Sequence, residues 1–325
     1  MCTTIALVND GLYFGRNMDI DFELGERVVI TPRCFPVPLR QKNALTSHFA
    51  FIGMAFVADG FPLYAEAVNE FGLCAAGLNF PESAWYSPKL SSSKDNITPY
   101  ELIPWVLGKC SSAEEAKELL KNINIYREPF SEKIPLSPLH WHFADKKESF
   151  VLESVKDGIH IYDNPAGVLT NNPPFNFHMT NLCHYLNLTP DVPENCFTAI
   201  TGNEPFGKGL GSFGLPGDSS PASRFVKSAY LLQNSPSADK DSDSVAQVMH
   251  VLDAVSVVKG SITPKKDTEY LTVYSCCMDA SRGIYYYKSY RNNQLTAIRL
   301  FNEDIDGNQL FEFFPEKNQQ IKWAN

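Results

Sequence analysis

The sequence contains no apolar run near the ~18 residues that a membrane-spanning helix requires. It also shows no basic stretch leading into an apolar segment at its start. Neither a spanning helix nor a secretion leader is therefore expected, and a cytoplasmic protein is. Positive charge is scarce. Against 37 Asp and Glu stand 28 Lys and Arg, a net charge of −9. That excludes a basic nucleic-acid surface, though a few placed arginines can still hold an anionic small ligand. Eight cysteines are present but no C-x-x-C pair. The thiols read as reduced rather than as a disulfide framework, and a dithiol redox protein is disfavoured. The glycine-rich stretch 206–217 lacks the G-x-x-x-x-G-K-[ST] spacing, and no clear strand leads into it, so it is not read as a phosphate loop. His140 and His142 share one strand face, but no third ligand stands at a sensible spacing. A hydrogen-bonded or core role is expected for them, with no metal and no cofactor. There is no internal repeat and no convincing linker, which points to one domain over 1–325.

Hydrophobic residues make up 44 % and aromatics 12 % of the chain, enough for a substantial core. The first 80 residues read mostly as strands. "TTIALV" and "LYFGRNMD" flank the turn "NDG", "FIGMAFVA" and "FPLYAEAV" flank Asp59-Gly60, and "LCAAGLNF" follows "NEFG". Two helices follow. The first holds Pro104 inside its pattern and is expected to kink or to start late. The second carries the capping pair Ser112 and Glu115, with Ala116, Leu119, Leu120 and Ile123 on one face. A second strand block runs from "LHWHFAD" to "AGVLT". Three helical segments come next, with 235–244 read as a surface loop between the last two. "EYLTVYSCC", "GIYYYKSY" and "LTAIRLF" close the chain as an antiparallel meander, with Cys276 and Cys277 packed on opposite strand faces. Blocks of strands and helices, rather than alternation, indicate an α+β protein with two antiparallel sheets and helices in separate layers.

Cys2 carries the functional question. Removal of Met1 before so small a residue leaves a thiol and an α-amine on one residue. Free groups of these kinds titrate at about 8.5 and about 7.7–8.0. The amine can take the thiol proton and the thiolate can attack a carbonyl, so one residue supplies nucleophile and base. The hairpin brings charge to it. A two-residue turn places Asp19 opposite Cys2, whereas a three-residue turn places Arg16 diagonal to it on the same face. Arg16 and Asp19 differ by three and belong on opposite faces of an ideal strand, so both reach the thiol only through a twist or bulge. Arg16 would favour thiolate and Asp19 could hold the amine; the plainer alternative is a surface ion pair. Asn79 and Asn171 stand at strand ends, where an amide is a well-aimed oxyanion donor or simply a turn-maker. Arg224 lies on a helix after a glycine-rich loop, either as a second buried cation or as an exposed one.

Read in order, "MCTT", "YFGRNMD", "ITPR", "NEFGLCAAGLNFP", "PLSPLHW", "YDNPAGVLTNNP", "GLPGDSSPASRF" and "YLTVYS" resemble the choloylglycine hydrolases among the N-terminal-nucleophile hydrolases. That family includes bile salt hydrolases and penicillin V acylases, and the sequence looks most like the bile salt hydrolases of Gram-positive gut bacteria. The resemblance implies a four-layer αββα sandwich, usually a homotetramer. It implies Cys2 as nucleophile, Arg16 and Asp19 flanking it, Asn79 and Asn171 as active-site asparagines, and Arg224 as the distal arginine. The implied reaction is cleavage of glycine- or taurine-conjugated bile salts through a thioester, with the oxyanion held by Asn171 and the backbone near Asn79. Penicillin V or another N-acyl amide is the alternative substrate, and a silent steroid-binding protein the alternative of another class. Met18, Ile20, Phe22, Phe61, Ile134 and Leu136 flank matched motifs and are expected to line an apolar pocket. Two departures stand out: Ala65-Glu66 where an aromatic and Asp are usual, and His142 where an apolar residue is commoner. Neither is expected to touch the catalytic set.

Overall fold

The computed structural model describes residues 1–21, 25–195, 207–236, 240–264 and 268–325. Strands β1 (Cys2–Val8) and β2 (Leu12–Ile20) form a hairpin in which Val8 pairs with Leu12 and Cys2 with Met18. The turn therefore holds three residues, and the second of the two expected registers is the one adopted. Next come β3 (Arg27–Thr31), β4 (Phe51–Ala58), β5 (Phe61–Asn69) and β6 (Cys74–Asn79). Asp59 and Gly60, both at positive φ, close the β4–β5 hairpin, as a two-residue turn between twisted strands requires.

A short strand β7 (Asp95–Ile97) precedes α1 (Leu102–Lys109) and α2 (Ala113–Leu120), and pairs in parallel with β8 (Ile123–Ile125). Helix α1 starts late. Pro104 falls in its first turn, where the missing N–H has no intrahelical partner to lose. Ser112 caps α2 by accepting from the Glu115 N–H at 3.2 Å, but the Glu115 carboxylate reaches the Ser111 N–H rather than closing on Ser112. Ile123, expected on the α2 face, instead opens β8, because the helix ends at Leu120.

The chain continues with β9 (Leu139–Ala144), β10 (Ser149–Val155), β11 (Gly158–Asp163), β12 (Val168–Leu169), α3 (Phe175–Asn181), α4 (Pro221–Gln233) and α5 (Asp241–Asp253). It closes with β13 (Leu271–Asp279), β14 (Ile284–Ser289), β15 (Thr296–Arg299) and β16 (Phe311–Phe313). The expected loop 235–244 is thus shorter: Asp241 and Asp243 belong to the first turn of α5, where acidic side chains suit the helix dipole. Residues 237–239 of that loop, and part of the glycine-rich stretch, lie outside the described residues.

One sheet runs β12-β1-β2-β13-β14-β15 and the other β11-β10-β9-β6-β5-β4-β3-β16, antiparallel throughout. Helices α4 and α5 pack on the first sheet, and α1 on β5 and β6 of the second. Between the sheets lies a core that includes Phe14, Ile30, Ile52, Met54, Val68 and Ala76. The far face of the second sheet packs Phe51, Trp141, Phe143 and Phe150 against Trp105, Val106 and Leu120. The architecture is the four-layer αββα sandwich. Even-numbered residues of β1 and β2 face the second sheet: Thr4 meets His142 and Phe14 packs on its ring at 4.8 Å. Odd-numbered residues face the helices, as Asn17 shows by donating to the Leu252 carbonyl of α5 at 2.7 Å. No helix among the described residues is long and apolar enough to cross a membrane.

Candidate active site

Cys2 opens an interior strand and is 3 % exposed. Its sulfur lies 3.3 Å from Arg16 Nη2 and 3.9 Å from the Met18 sulfur. This is the diagonal and direct pairing that the three-residue turn dictates, with all three side chains on the inner face. Asp19 sits on the other face, across from Met1. The Asp19 N–H donates to the Met1 carbonyl at 3.0 Å, and the Met1 amine donates to the Asp19 carbonyl at 2.7 Å and to the Tyr270 hydroxyl. Strand parity is therefore obeyed, and no distortion of β2 is needed. Arg16 serves the sulfur from the inner side while Asp19 stands beside the chain terminus from the helix side.

The distortion is on the partner strand. β13 carries a bulge between Thr272 and Tyr274, opposite Asp19 and Met18. It turns Thr272 toward the helix side, where its hydroxyl donates to Asp19 Oδ1 at 2.6 Å, while Tyr274 stays inside. Asp19 Oδ2 is buried without a hydrogen-bond partner among the described residues. Burial pushes the Asp19 carboxyl up from its usual range, opposed by Arg224 and by the Thr272 hydrogen bond. Burial also lowers the pKa of the terminal amine.

Asn171 follows β12, which pairs with β1. Its Oδ1 accepts from the Cys2 nitrogen at 2.9 Å and from Arg224 Nη2 at 2.8 Å, while its Nδ2 donates to the Asn79 carbonyl at 2.7 Å. Arg224 is buried on α4, whose start is capped by Ser220 with Pro221 at the first position. Its Nη1 donates to the Cys2 carbonyl at 2.5 Å and to the Thr3 hydroxyl at 2.6 Å. Burial lowers the Arg224 pKa, and Asp19 and Cys2 act against that. Asn79 enters through its carbonyl; its side chain is exposed. The neighbouring Phe80 N–H is committed to the Pro138 carbonyl at 2.8 Å, so that part of the backbone is not the free oxyanion donor expected beside Asn79.

The expectation for Ala65-Glu66 is overturned. Both touch Arg16: its Nη1 donates to the Ala65 carbonyl at 2.5 Å and lies 3.1 Å from Glu66 Oε2. The cause is a bulge in β5 at Ala65, where Met54 pairs with Glu66 but Ala55 pairs with Tyr64. Regular alternation would send Tyr64 and Glu66 to the same face; the extra residue turns Glu66 inward. His142 hydrogen-bonds Thr4 and Ser149 at 2.8 and 2.7 Å, and burial pushes its pKa down to about 3. His140 pairs with Glu153 at 3.0 Å. His178, which nothing in the sequence pattern singled out, donates from Nε2 to the Asn171 carbonyl at 2.8 Å and stacks on Phe225. No group of three or more His, Cys, Asp or Glu able to hold a metal is present among the described residues.

The expected pocket residues separate. Met18 touches the thiol. Ile20 lines a cleft of about 670 Å³ together with Met54, Leu271, Val273 and Tyr274. Phe61 is buried, with its ring 5.7 Å from those of Tyr100 and Phe130. Ile134 is half-buried, and Leu136 packs against the core on the far face of the second sheet rather than against the thiol. Phe22 lies outside the described residues.

A nucleophile with a cation on its sulfur and an amide oxygen at its nitrogen suits acyl transfer through an N-terminal thiol. Comparison with known proteins agrees. Residues 2–313 match the linear amide C-N hydrolases, choloylglycine hydrolase family. The bile salt hydrolase/transferase of Lactiplantibacillus plantarum is 44 % identical over 313 residues, 96 % of each chain. The crystal structure of a C2A mutant of the conjugated bile acid hydrolase from Clostridium perfringens superposes with a TM-score of 0.92 at 39 % identity, covering all of both chains. A penicillin V acylase from Agrobacterium tumefaciens shares the fold, with a TM-score of 0.75 at 20 % identity over 96 % of this chain and 90 % of that one. The chain belongs to the choloylglycine hydrolase family of linear amide C-N hydrolases.

Proposed function

We propose that the protein hydrolyses the amide bond of glycine- or taurine-conjugated bile salts with Cys2 as nucleophile. The observation that carries this is the placement of Cys2 itself, with Arg16 on its sulfur and Asn171 on its nitrogen. The names of the similar proteins supply the substrate class. With Met1 in place the Cys2 nitrogen is an amide and cannot accept a proton. Its removal converts that nitrogen into an amine beside Asn171 Oδ1.

The amine takes the thiol proton and the thiolate attacks the amide carbon. The Asn79 side-chain amide and the second Nδ2 hydrogen of Asn171 hold the oxyanion; losing one such donor typically costs about 3–4 kcal/mol of barrier. As the C–N bond breaks, the Cys2 ammonium returns its proton to the departing glycine or taurine nitrogen, leaving a thioester. Water gives a proton to the same amine and attacks the thioester carbon, releasing the bile acid and the thiol. Arg224 fixes Asn171 and the Cys2 carbonyl through these steps. The working form is read as a cytoplasmic homotetramer, with 1–325 as one domain that loses Met1; sedimentation of the purified protein checks the tetramer.

Amine release from taurocholate, glycocholate and penicillin V by wild type and by Cys2→Ala tests the reading. Turnover of the conjugates by wild type alone, with intact mass short of one methionine, is expected. Preference for penicillin V overturns the substrate class, and undiminished turnover by Cys2→Ala overturns the nucleophile.

A further inference from the structure

Between the sheets, on the inner side of Arg16, lies a buried polar cluster that these steps do not use. Glu66 is fully buried. The Tyr274 hydroxyl donates to both of its oxygens, at 2.9 and 3.2 Å. The Tyr285 hydroxyl donates to Oε1, and the Cys276 sulfur lies 3.6 Å from the same atom. Oε2 faces Arg16 Nη1. Every neighbour arrives as a donor, which suits a carboxylate and not a carboxylic acid. Burial pushes the Glu66 carboxyl up, but Arg16, Tyr285, Tyr274 and Cys276 all favour its charged form. Burial also works against the Arg16 charge, yet Cys2, Tyr274 and Glu66 hold it firmly protonated.

The rest of Arg16 is held loosely. Among the described residues its Nε has no hydrogen-bond partner, and Nη2 meets only the sulfurs of Cys2 and Met18. We propose that Glu66 is a positioning residue for the hydrolysis: by gripping one arm of the Arg16 guanidinium it keeps the other arm on the Cys2 sulfur, and by bringing a negative charge into the pair it limits the positive field at that sulfur. The limit matters because a thiolate stabilised too strongly attacks more slowly. Arg16 is faced by Cys2 from β1, Glu66 from β5, and Tyr274 and Cys276 from β13, with Tyr285 of β14 behind Glu66. Asp19 on its own strand and Arg224 from α4 lie on the other side of the sheet. The proposal rests on Cys2 being the nucleophile.

The test uses the mature protein and the variants Glu66→Gln, Glu66→Asp, Arg16→Met and Arg16→Met with Glu66→Gln. Two quantities are read: kcat and KM for glycine release from glycocholate, and the pH profile of Cys2 alkylation by iodoacetamide. The latter is followed by mass on the N-terminal peptide because Cys34 and Cys183, unlike Cys2, are exposed and will react too. Glu66→Gln should lower kcat about 10–100-fold with KM within about twofold. It should move the alkylation profile about one unit toward lower pH. Glu66→Asp, which keeps the charge, should restore the profile. In the Arg16→Met background, Glu66→Gln should add nothing. If Glu66→Gln does not fold, Tyr285→Phe, which removes one donor and leaves the carboxylate's charge less offset, should move the profile by less and toward higher pH. An unshifted profile with wild-type kcat, or a shift that persists without Arg16, overturns the proposal. If Cys2→Ala still turns over glycocholate, it is the reading of the nucleophile that has failed; if Cys2→Ala is inert and Glu66→Gln behaves as wild type, only the role of Glu66 has.

Discussion

Asn171 and Arg224 meet through a single oxygen. Asn171 Oδ1 accepts from Arg224 Nη2 at 2.8 Å and from the Cys2 nitrogen at 2.9 Å. The arginine thus orients the amide that receives the future amine. The same amide keeps its nitrogen toward the Asn79 carbonyl, which sets where its remaining hydrogen points.

Asn171→Ala should therefore remove both the amine's acceptor and an oxyanion donor. We expect kcat to fall about 10²–10³-fold. Stability should fall by about 1–3 kcal/mol, because the buried Arg224 loses a partner. Amine release and urea unfolding measure the two, and a variant with near-normal kcat would remove Asn171 from the mechanism.

His142 predicts an acid sensitivity unrelated to catalysis. Its folded pKa of about 3 lies below the usual 6.5. Between these values the unfolded chain binds a proton that the folded chain refuses, so stability falls as pH drops through 6.5 toward 3, by at most about 5 kcal/mol. His142→Leu should cost about 1–3 kcal/mol at pH 7 by stranding Thr4 and Ser149. It should also flatten the loss between pH 6.5 and 4.5 by about 2–3 kcal/mol. Urea midpoints across that range decide it; parallel curves for the two proteins would refute the assignment.

Gly53 is where β4 passes closest to the bulge of β5. A Cβ there would stand 1.9 Å from the Glu66 carbonyl oxygen and 2.6 Å from the Ala67 Cα. Backbone cannot yield as a side-chain end can, so Gly53→Ala should cost about 1–3 kcal/mol or more. It should also displace Glu66, lowering kcat of the folded protein about tenfold or more. Thermal unfolding and glycine release test the pair, and a stable, fully active variant would show that the bulge tolerates movement.

What could be read in advance follows strand parity. The hairpin and the opposite faces of Arg16 and Asp19 follow from a period of two, whereas the turn length, and so which of them shares the face of Cys2, was left open until the register was seen. Asn171 and Arg224 carried only a generic signal, a strand-end amide and a helical cation, until the family resemblance placed them. Glu66 was hidden because its bulge breaks the alternation that sequence reading relies on. The Thr272 hydroxyl is hidden by the matching bulge in β13. His178 was illegible for another reason: its contact with the Asn171 carbonyl depends on how α3 docks, which no local pattern encodes. Strands β3 and β16 were missed because they are short. Phe61 and Leu136 looked alike in sequence as apolar residues flanking matched motifs, and only the fold shows their separate neighbours.

Because β1 lies between two other strands and its first amine is gripped by Asp19 and Tyr270, an aminopeptidase has no purchase on the finished fold. On the proposed reading, trimming would have to act on the ribosome-borne chain, before that strand is enclosed. Any extension fused ahead of Cys2 should then yield a well-folded but inert protein, regaining amine release only when a protease cleaves so that Cys2 becomes the first residue. Activity of the uncut fusion would show that the terminus stays open.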